Sequence, residues 1–189
     1  MIKMWNENIK NVFIPSWISC LDESMSPWLN KFTCPGWVWC PRKPWPFGNE
    51  YHSICCGLSG IMFGIEIIQG KDRPLQIHNK HFNDQGGPTV GLLLQLCESI
   101  FHMGKVVILD SGFCILQGLI ELRKMGVFAS AVIKKRRYWP KYVPGDKIDK
   151  KMKELQLGAT DSIRGKLDSI DYDLFALRDK DFVMQLMST

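Results

Sequence analysis

The feature that most constrains this chain is an aspartate set where an apolar strand gives way to a helix. It is Asp110, in Gly104-Lys-Val-Val-Ile-Leu-Asp-Ser-Gly-Phe113. Val106 to Leu109 reads as a short buried strand. Ser111-Gly112 breaks it, and Phe113 to Lys124 carries apolar residues at helical spacing, with Gly126 as the natural C-terminal cap. A carboxylate at a strand's carboxyl end sits at the rim of an α/β sheet, where ligands and metals bind. Asp22, in Ile18-Ser-Cys-Leu-Asp-Glu-Ser-Met25, reads as a second strand-end aspartate. Brought together by the fold, the two would make a site for a divalent metal.

The rest of the chain fits an α/β domain. Asn11 to Leu21 reads as an approach strand interrupted by Pro15. Residues 22–50 contain Pro27, Pro35, Pro41, Pro44 and Pro46 and read mostly as loop. Residues 51–58 and 61–68 read as a hairpin, with Gly57, Gly60 and Gly64 marking its turn and a bulge. Residues 71–88 are polar and loop-like. A helix then runs between Pro88 and Gly104, with Val90, Leu93, Leu94, Cys97, Ile100 and Phe101 as its stripe. Val127 to Ile133 reads as a strand and residues 146–158 as a charged short helix. Residues 172–177 and 181–187 read as a terminal hairpin. This order predicts a mixed α/β sheet.

A length of 189 residues suits one domain with a sizeable core. The net charge of +5 permits a polyanionic partner without demanding one. No apolar run approaches the roughly 18 residues of a membrane span, and the first residues lack the apolar core of a signal peptide, so no membrane partner is expected. Seven cysteines, an odd number, point to a reducing compartment and mostly buried thiols. Trp28, Trp37, Trp39 and Trp45 crowd one segment, read as a stiff aromatic loop packed on the domain.

Several pieces, in order, resemble the catalytic domain of piggyBac-type transposases and the domesticated proteins derived from them. They are Leu21-Asp-Glu-Ser-Met25, Pro41-Arg-Lys-Pro44 followed by Phe47-Gly48, the hairpin 51–68, and Val107-Ile-Leu-Asp-Ser-Gly-Phe113 with Leu116, Leu119 and Leu122. The strand 127–134 and the tail from Asp173 to Ser188-Thr189 complete the set. The resemblance covers residues 14–189 and leaves 1–13 as an N-terminal extension. It implies an RNase H-like α/β fold, a mixed sheet flanked by helices with a late β-hairpin. It also implies that Asp22 and Asp110 match the first two of three metal-binding aspartates around two Mg²⁺ (or Mn²⁺) ions.

In that family the third aspartate follows a Gly-Gly-Val-Asp type motif, and a cysteine-rich DNA-recognition module comes after it. Neither is found here, so the chain is expected to be an incomplete or decayed copy. The resemblance implies DNA cleavage and strand transfer by two-metal catalysis as the ancestral chemistry, a nuclear location (cytoplasmic if the protein is not imported), DNA as partner, room for a homodimer and no small-molecule cofactor. The alternative is a non-enzymatic, domesticated DNA-binding or protein-interaction module.

The residues permit this chemistry without requiring it. Two carboxylates held about 4 Å apart repel by roughly 4 kcal/mol at an effective dielectric of 20, a penalty that a metal removes. A strand-end aspartate also has a simpler use as a helix cap. Glu23 points the opposite way from Asp22 along a strand and is not counted as a ligand. Asp161, Asp168, Asp171, Asp173, Asp179 and Asp181 read as solvated loop and hairpin-edge charge.

Lys134, Lys135, Arg136 and Arg137, with Tyr138, Trp139, Lys141 and Tyr142, form a basic and aromatic run. It suits phosphates and exposed bases, nuclear import, or merely a solvated turn. Arg42 and Lys43 are further candidates for DNA contact. Cys34, Cys40, Cys55, Cys56, His78 and His81 fit no common zinc spacing.

Overall fold

The computed structural model describes residues 2–34, 36–68, 82, 84–133, 140 and 143–189. The chain divides into two compact units, Met1–Ile100 and Phe101–Thr189.

The first unit is built on an antiparallel sheet. Strand β1 (Ile18–Pro27) pairs along its length with β3 (Phe47–Cys56), from Ser19 opposite Cys56 to Pro27 opposite Gly48. The other edge of β3 carries the short β2 (Trp37–Trp39) near one end and β4 (Met62–Ile67) near the other. The hairpin β3–β4 matches the predicted one, with a bulge at Ile54/Cys55 and a turn through Gly60 at φ +70°. Helix α2 (Pro88–Cys97) lies against β3 and β4. Gly64 permits the close approach, because a Cβ there would press on Ile54 and meet Leu96. Val90, Leu93, Leu94, Cys97 and Ile100 are buried as their spacing predicts, and Leu92 and Leu96 join them.

Two elements escape a reading of the sequence. Helix α1 (Ile2–Val12) forms in the stretch read only as an N-terminal extension, and it takes in residues 11 and 12 of the expected approach strand. Ile2, Asn6, Ile9 and Phe13 make its inward stripe, and Asn6 replaces an apolar residue there for a specific reason. Its side-chain amide donates to the Ile65 carbonyl at 2.8 Å and accepts the Ile65 N–H at 3.0 Å. The helix thereby satisfies the free edge of β4 as another strand would. Strand β1 also does not end at Asp22. It runs on to Pro27 because residues 22–27 find partners in residues 48–53.

The second unit holds a mixed sheet in the order β5 (Val106–Leu109), β6 (Phe128–Val132), β9 (Val183–Ser188), β8 (Ile170–Arg178), β7 (Thr160–Leu167). β5 and β6 are parallel and joined through helix α3 (Leu116–Lys124). The other pairs are antiparallel. Helix α4 (Gly145–Lys153) packs on β8 and β9. The core gathers Val107, Leu109, Leu119, Ile120, Leu122, Tyr172, Leu174 and Met187, all buried.

The terminal hairpin is as predicted, but β7 is additional. Its outward residues are polar, so it gives no alternating apolar signal. Arg164 makes paired hydrogen bonds to its cross-strand neighbour Asp173, at 2.8 and 3.0 Å. Gly165 leaves room for the ring of Tyr172 across the pair.

The β7–β8 turn is a two-residue loop, Asp168-Ser169, with φ +50° and +66°. Asp168 is held there by Lys124 at 2.8 Å. Ser169 bears the left-handed conformation at a cost that glycine would not have. Ser169→Gly is therefore expected to stabilise the protein by about 0.5–1 kcal/mol, read as a higher midpoint in urea.

One buried group opposes folding. Burial pushes Glu66 up to about 7, although the Gln95 amide, 3.2 Å away, favours the ionised form. Between its ordinary value of 4.5 and that raised value, the folded chain keeps a proton that the unfolded chain has released. Stability from this site is thus drawn down as pH rises through that window. Glu66→Gln is expected to raise the melting temperature at pH 8 by roughly 2–8 °C. The gain should shrink towards zero at pH 4, as thermal melts at the two pH values would show.

Candidate active site

Asp110 lies where the sequence puts it. It follows the last residue of β5 and occupies the N-cap position of a 3₁₀ turn, Ser111–Phe113. Its backbone is extended, with φ −70° and ψ 166°, and its carbonyl accepts the Phe113 N–H at 3.0 Å. The carboxylate does not cap that turn. The Ser111 hydroxyl donates to its Oδ2 at 3.4 Å, and the side chain is half-buried. Helix α3 begins only at Leu116, after Cys114 and Ile115 redirect the chain.

Asp22 is set by the β1–β3 register, in mid-strand and opposite Ser53. It is exposed, and its Oδ1 accepts the N–H of Glu23 at 2.7 Å. Strand alternation puts Cys20, Asp22 and Ser24 on one face and Leu21, Glu23 and Met25 on the other. Asp22 and Asp110 belong to different units, and each presents carboxylate oxygen from the local structure of its own unit.

The proline-framed loop is closed on itself. The Cys40 N–H donates to the Pro46 carbonyl at 2.6 Å, and the Lys43 N–H donates to the Cys40 carbonyl at 3.1 Å. Arg42 is exposed, consistent with its reading as a DNA contact. Lys43, beside it, is half-buried. Its ammonium turns inward, donating to the Glu23 carbonyl at 3.0 Å and lying 3.2 Å from Glu23 Oε1. Lys134, Lys135, Arg136 and Arg137, with their aromatic neighbours 138, 139, 141 and 142, lie outside the described residues, as do His78 and His81.

The sequence also hid a cluster. Glu23, opposite His52 in the ladder, joins Glu50 and His52, and one donor atom from each lies within 4.8 Å of the others. All three are half-buried. Burial, reinforced by Glu23, raises the carboxyl of Glu50, and burial lowers the imidazole of His52. The period-two pattern Glu50-Tyr51-His52 is the sequence signal that could have revealed it, once 47–56 is read as one strand.

Other expectations divide. Cys34, Cys56, Cys97 and Cys114 are buried, but Cys20 is exposed. The tryptophan-rich segment is stitched internally, with Trp28 Nε1 donating to Thr33 Oγ1 and Trp37 Nε1 to the Trp28 carbonyl. It is not packed down, however. Trp28, Phe32, Trp39 and Trp45 are exposed. In the tail, Asp161, Asp168, Asp171 and Asp173 pair with Lys151, Lys124, Lys166 and Arg164. These aspartates are hairpin-edge charge, as read.

Removing Lys43 would leave Glu23 and Glu50 facing each other without their ammonium. Lys43→Ala is expected to cost about 1–2 kcal/mol, measured as a loss of urea midpoint at pH 8.

The Transposase IS4 family matches the chain over residues 1–189. No curated protein matches it. Among solved structures, the cryo-EM structure of the piggyBac transposase synaptic complex with hairpin DNA superimposes with a TM-score of 0.75 at 14% identity. That match covers 98% of this chain and 36% of the other, so the present chain spans about a third of that protein. The crystal structure of human ENDOV gives a TM-score of only 0.35 at 12% identity, covering 100% of this chain and 83% of that one, too low to speak for a common fold. The mixed α/β fold is that of piggyBac transposase, and the chain belongs to the Transposase IS4 family.

Proposed function

We propose that this chain is a transposase-derived domain that engages DNA and holds a divalent cation through Asp22 and Asp110. The family match over the whole chain carries the reading. The likeness to a transposase solved with hairpin DNA supports DNA as the partner. The two aspartates fit a hard cation. Both donors are carboxylate oxygens, and Asp22 is exposed. Mg²⁺ or Mn²⁺ bound there would activate a water or a 3′-hydroxyl and steady the leaving oxygen. In this reading the chain's own residues bind and orient. Asp22 and Asp110 hold the ion, Arg42 and the run 134–137 hold phosphates, and that run also serves nuclear import.

Little strand cleavage is expected from this chain alone. Two carboxylates are a sparse ligand set for two ions, and Asp161, Asp168, Asp171 and Asp173 are engaged with lysine or arginine. A second reading, a binding module without catalysis, draws on the exposed aromatic side chains of Trp28, Phe32, Trp39 and Trp45.

Fluorescence anisotropy with duplex and hairpin DNA tests the proposal. Affinity should fall steeply with salt, weaken several-fold in Arg42→Ala and in Lys134→Ala/Arg136→Ala, and survive Asp110→Asn in the absence of metal. Salt-independent binding, or none, would refute DNA as the partner. Robust Mg²⁺-dependent cutting that disappears in Asp22→Asn and Asp110→Asn would overturn the expectation of weak activity and establish both aspartates as catalytic.

A further inference from the structure

We propose that Glu23, Glu50 and His52 form a second cation site, for a transition metal such as Mn²⁺ or Zn²⁺, with Lys43 as the cation that fills it when metal is absent. The site lies on the face of β1 opposite Asp22, so it is separate from the pair assigned above.

Geometry carries the argument. Glu23 and His52 are direct cross-strand partners, and Glu50, opposite Met25, lies two residues along the same face as His52. The three donor atoms fall within 4.8 Å of one another, and His52 Nε2 stands 3.9 Å from Glu50 Oε1. Tetrahedral coordination with bonds near 2.1 Å sets donors about 3.4 Å apart. Rotation of two flexible glutamate side chains is enough to close that gap. The donors project from paired strands rather than from a loop, which suits a preorganised site.

A second observation is independent of the cluster's composition. The chain already places a cation there. Lys43 reaches in from the proline-framed loop to within 3.2 Å of Glu23 Oε1 and hydrogen-bonds the Glu23 carbonyl at 3.0 Å. One ammonium faces two carboxylates, so the arrangement remains a charge short. Burial, reinforced by Glu23, raises the carboxyl of Glu50. A divalent ion would meet both carboxylates, and the imidazole, kept neutral by burial, would serve as a nitrogen donor. Imidazole with carboxylates favours Mn²⁺ or Zn²⁺ over Mg²⁺, which takes oxygen almost exclusively.

The test uses Mn²⁺, to which the chain's seven thiols are poor ligands. Binding to the full chain is followed by electron paramagnetic resonance in an Asp22→Asn/Asp110→Asn background, which removes the ion assigned to that pair. One Mn²⁺ should still bind, carrying a nitrogen modulation from His52. Glu50→Gln and His52→Gln should each weaken it by roughly tenfold or more. The nitrogen signal should vanish in His52→Gln, and Lys43→Met should tighten binding several-fold. Thermal melts of each variant establish that it folds.

Undiminished Mn²⁺ binding in folded Glu50→Gln and His52→Gln would overturn the proposal. So would the absence of binding below about 1 mM, or weaker binding in Lys43→Met. Loss of Mn²⁺ from the parent on Asp22→Asn/Asp110→Asn, with nothing left behind, would support the pair assigned above while refuting this site.

Discussion

Much of the first unit depends on the antiparallel register of β1 on β3. Leu21 sits opposite Ile54, and neither retains any exposure to solvent. A slip of β1 by one residue would turn Leu21 out and bring Asp22 towards the core, an exchange of apolar burial for an unpaired charge. The register therefore separates two neighbours that differ by one methylene. Asp22 goes to the exposed face. Glu23 goes to the half-buried face, where Lys43 and His52 wait. Gly48 helps to fix that register at the far end of the ladder, where φ is +152° and a Cβ would collide with the Ser26 backbone.

In the second unit a backbone hydrogen bond has the corresponding part. The Asp110 carbonyl accepts from Phe113, and the 3₁₀ turn so formed delays helix α3 to Leu116. The Ser111 hydroxyl, in that turn, donates to the Asp110 carboxylate at 3.4 Å. Lys124, at the end of α3, bridges Glu121 at 2.7 Å and Asp168 at 2.8 Å. One ammonium ties the crossover helix to the β7–β8 turn and offsets part of that turn's left-handed strain.

The sequence made legible what depends on apolar periodicity. The strand at 106–109, helix α2, the 51–68 hairpin and the final hairpin all carry repeating apolar positions, and all are present. Asp110 was placed correctly because its strand is short and its break is marked by Ser111-Gly112. What failed has a different physics. α1 docks through an asparagine acting as a backbone mimic, which no hydrophobic pattern announces. β7 is an edge strand whose outward side chains are charged, as edges commonly are. β1 was cut short at Asp22 because prolines suggested loop, although Pro27 comes at the strand's end, where proline is tolerated. The Glu23–Glu50–His52 grouping needed the pairing register itself, and the composition of either strand alone does not contain it.

Lys43 shows how a half-buried carboxylate competes for a loop cation. A Lys-Pro pair in a basic protein invites assignment to phosphate, but a flexible ammonium goes to whichever anion is near and partly desolvated. Here that is Glu23, with Glu50 behind it, and the attraction is stronger at a half-buried site than it would be in open solvent. Arg42, one residue earlier, stays exposed. The loop thus divides its two cations between tasks. One neutralises an internal pair of carboxylates, and the other remains available to a polyanion. The net charge of +5 overstates what the described surface of this loop can offer to DNA, and any affinity for DNA must draw more heavily on cations elsewhere in the chain.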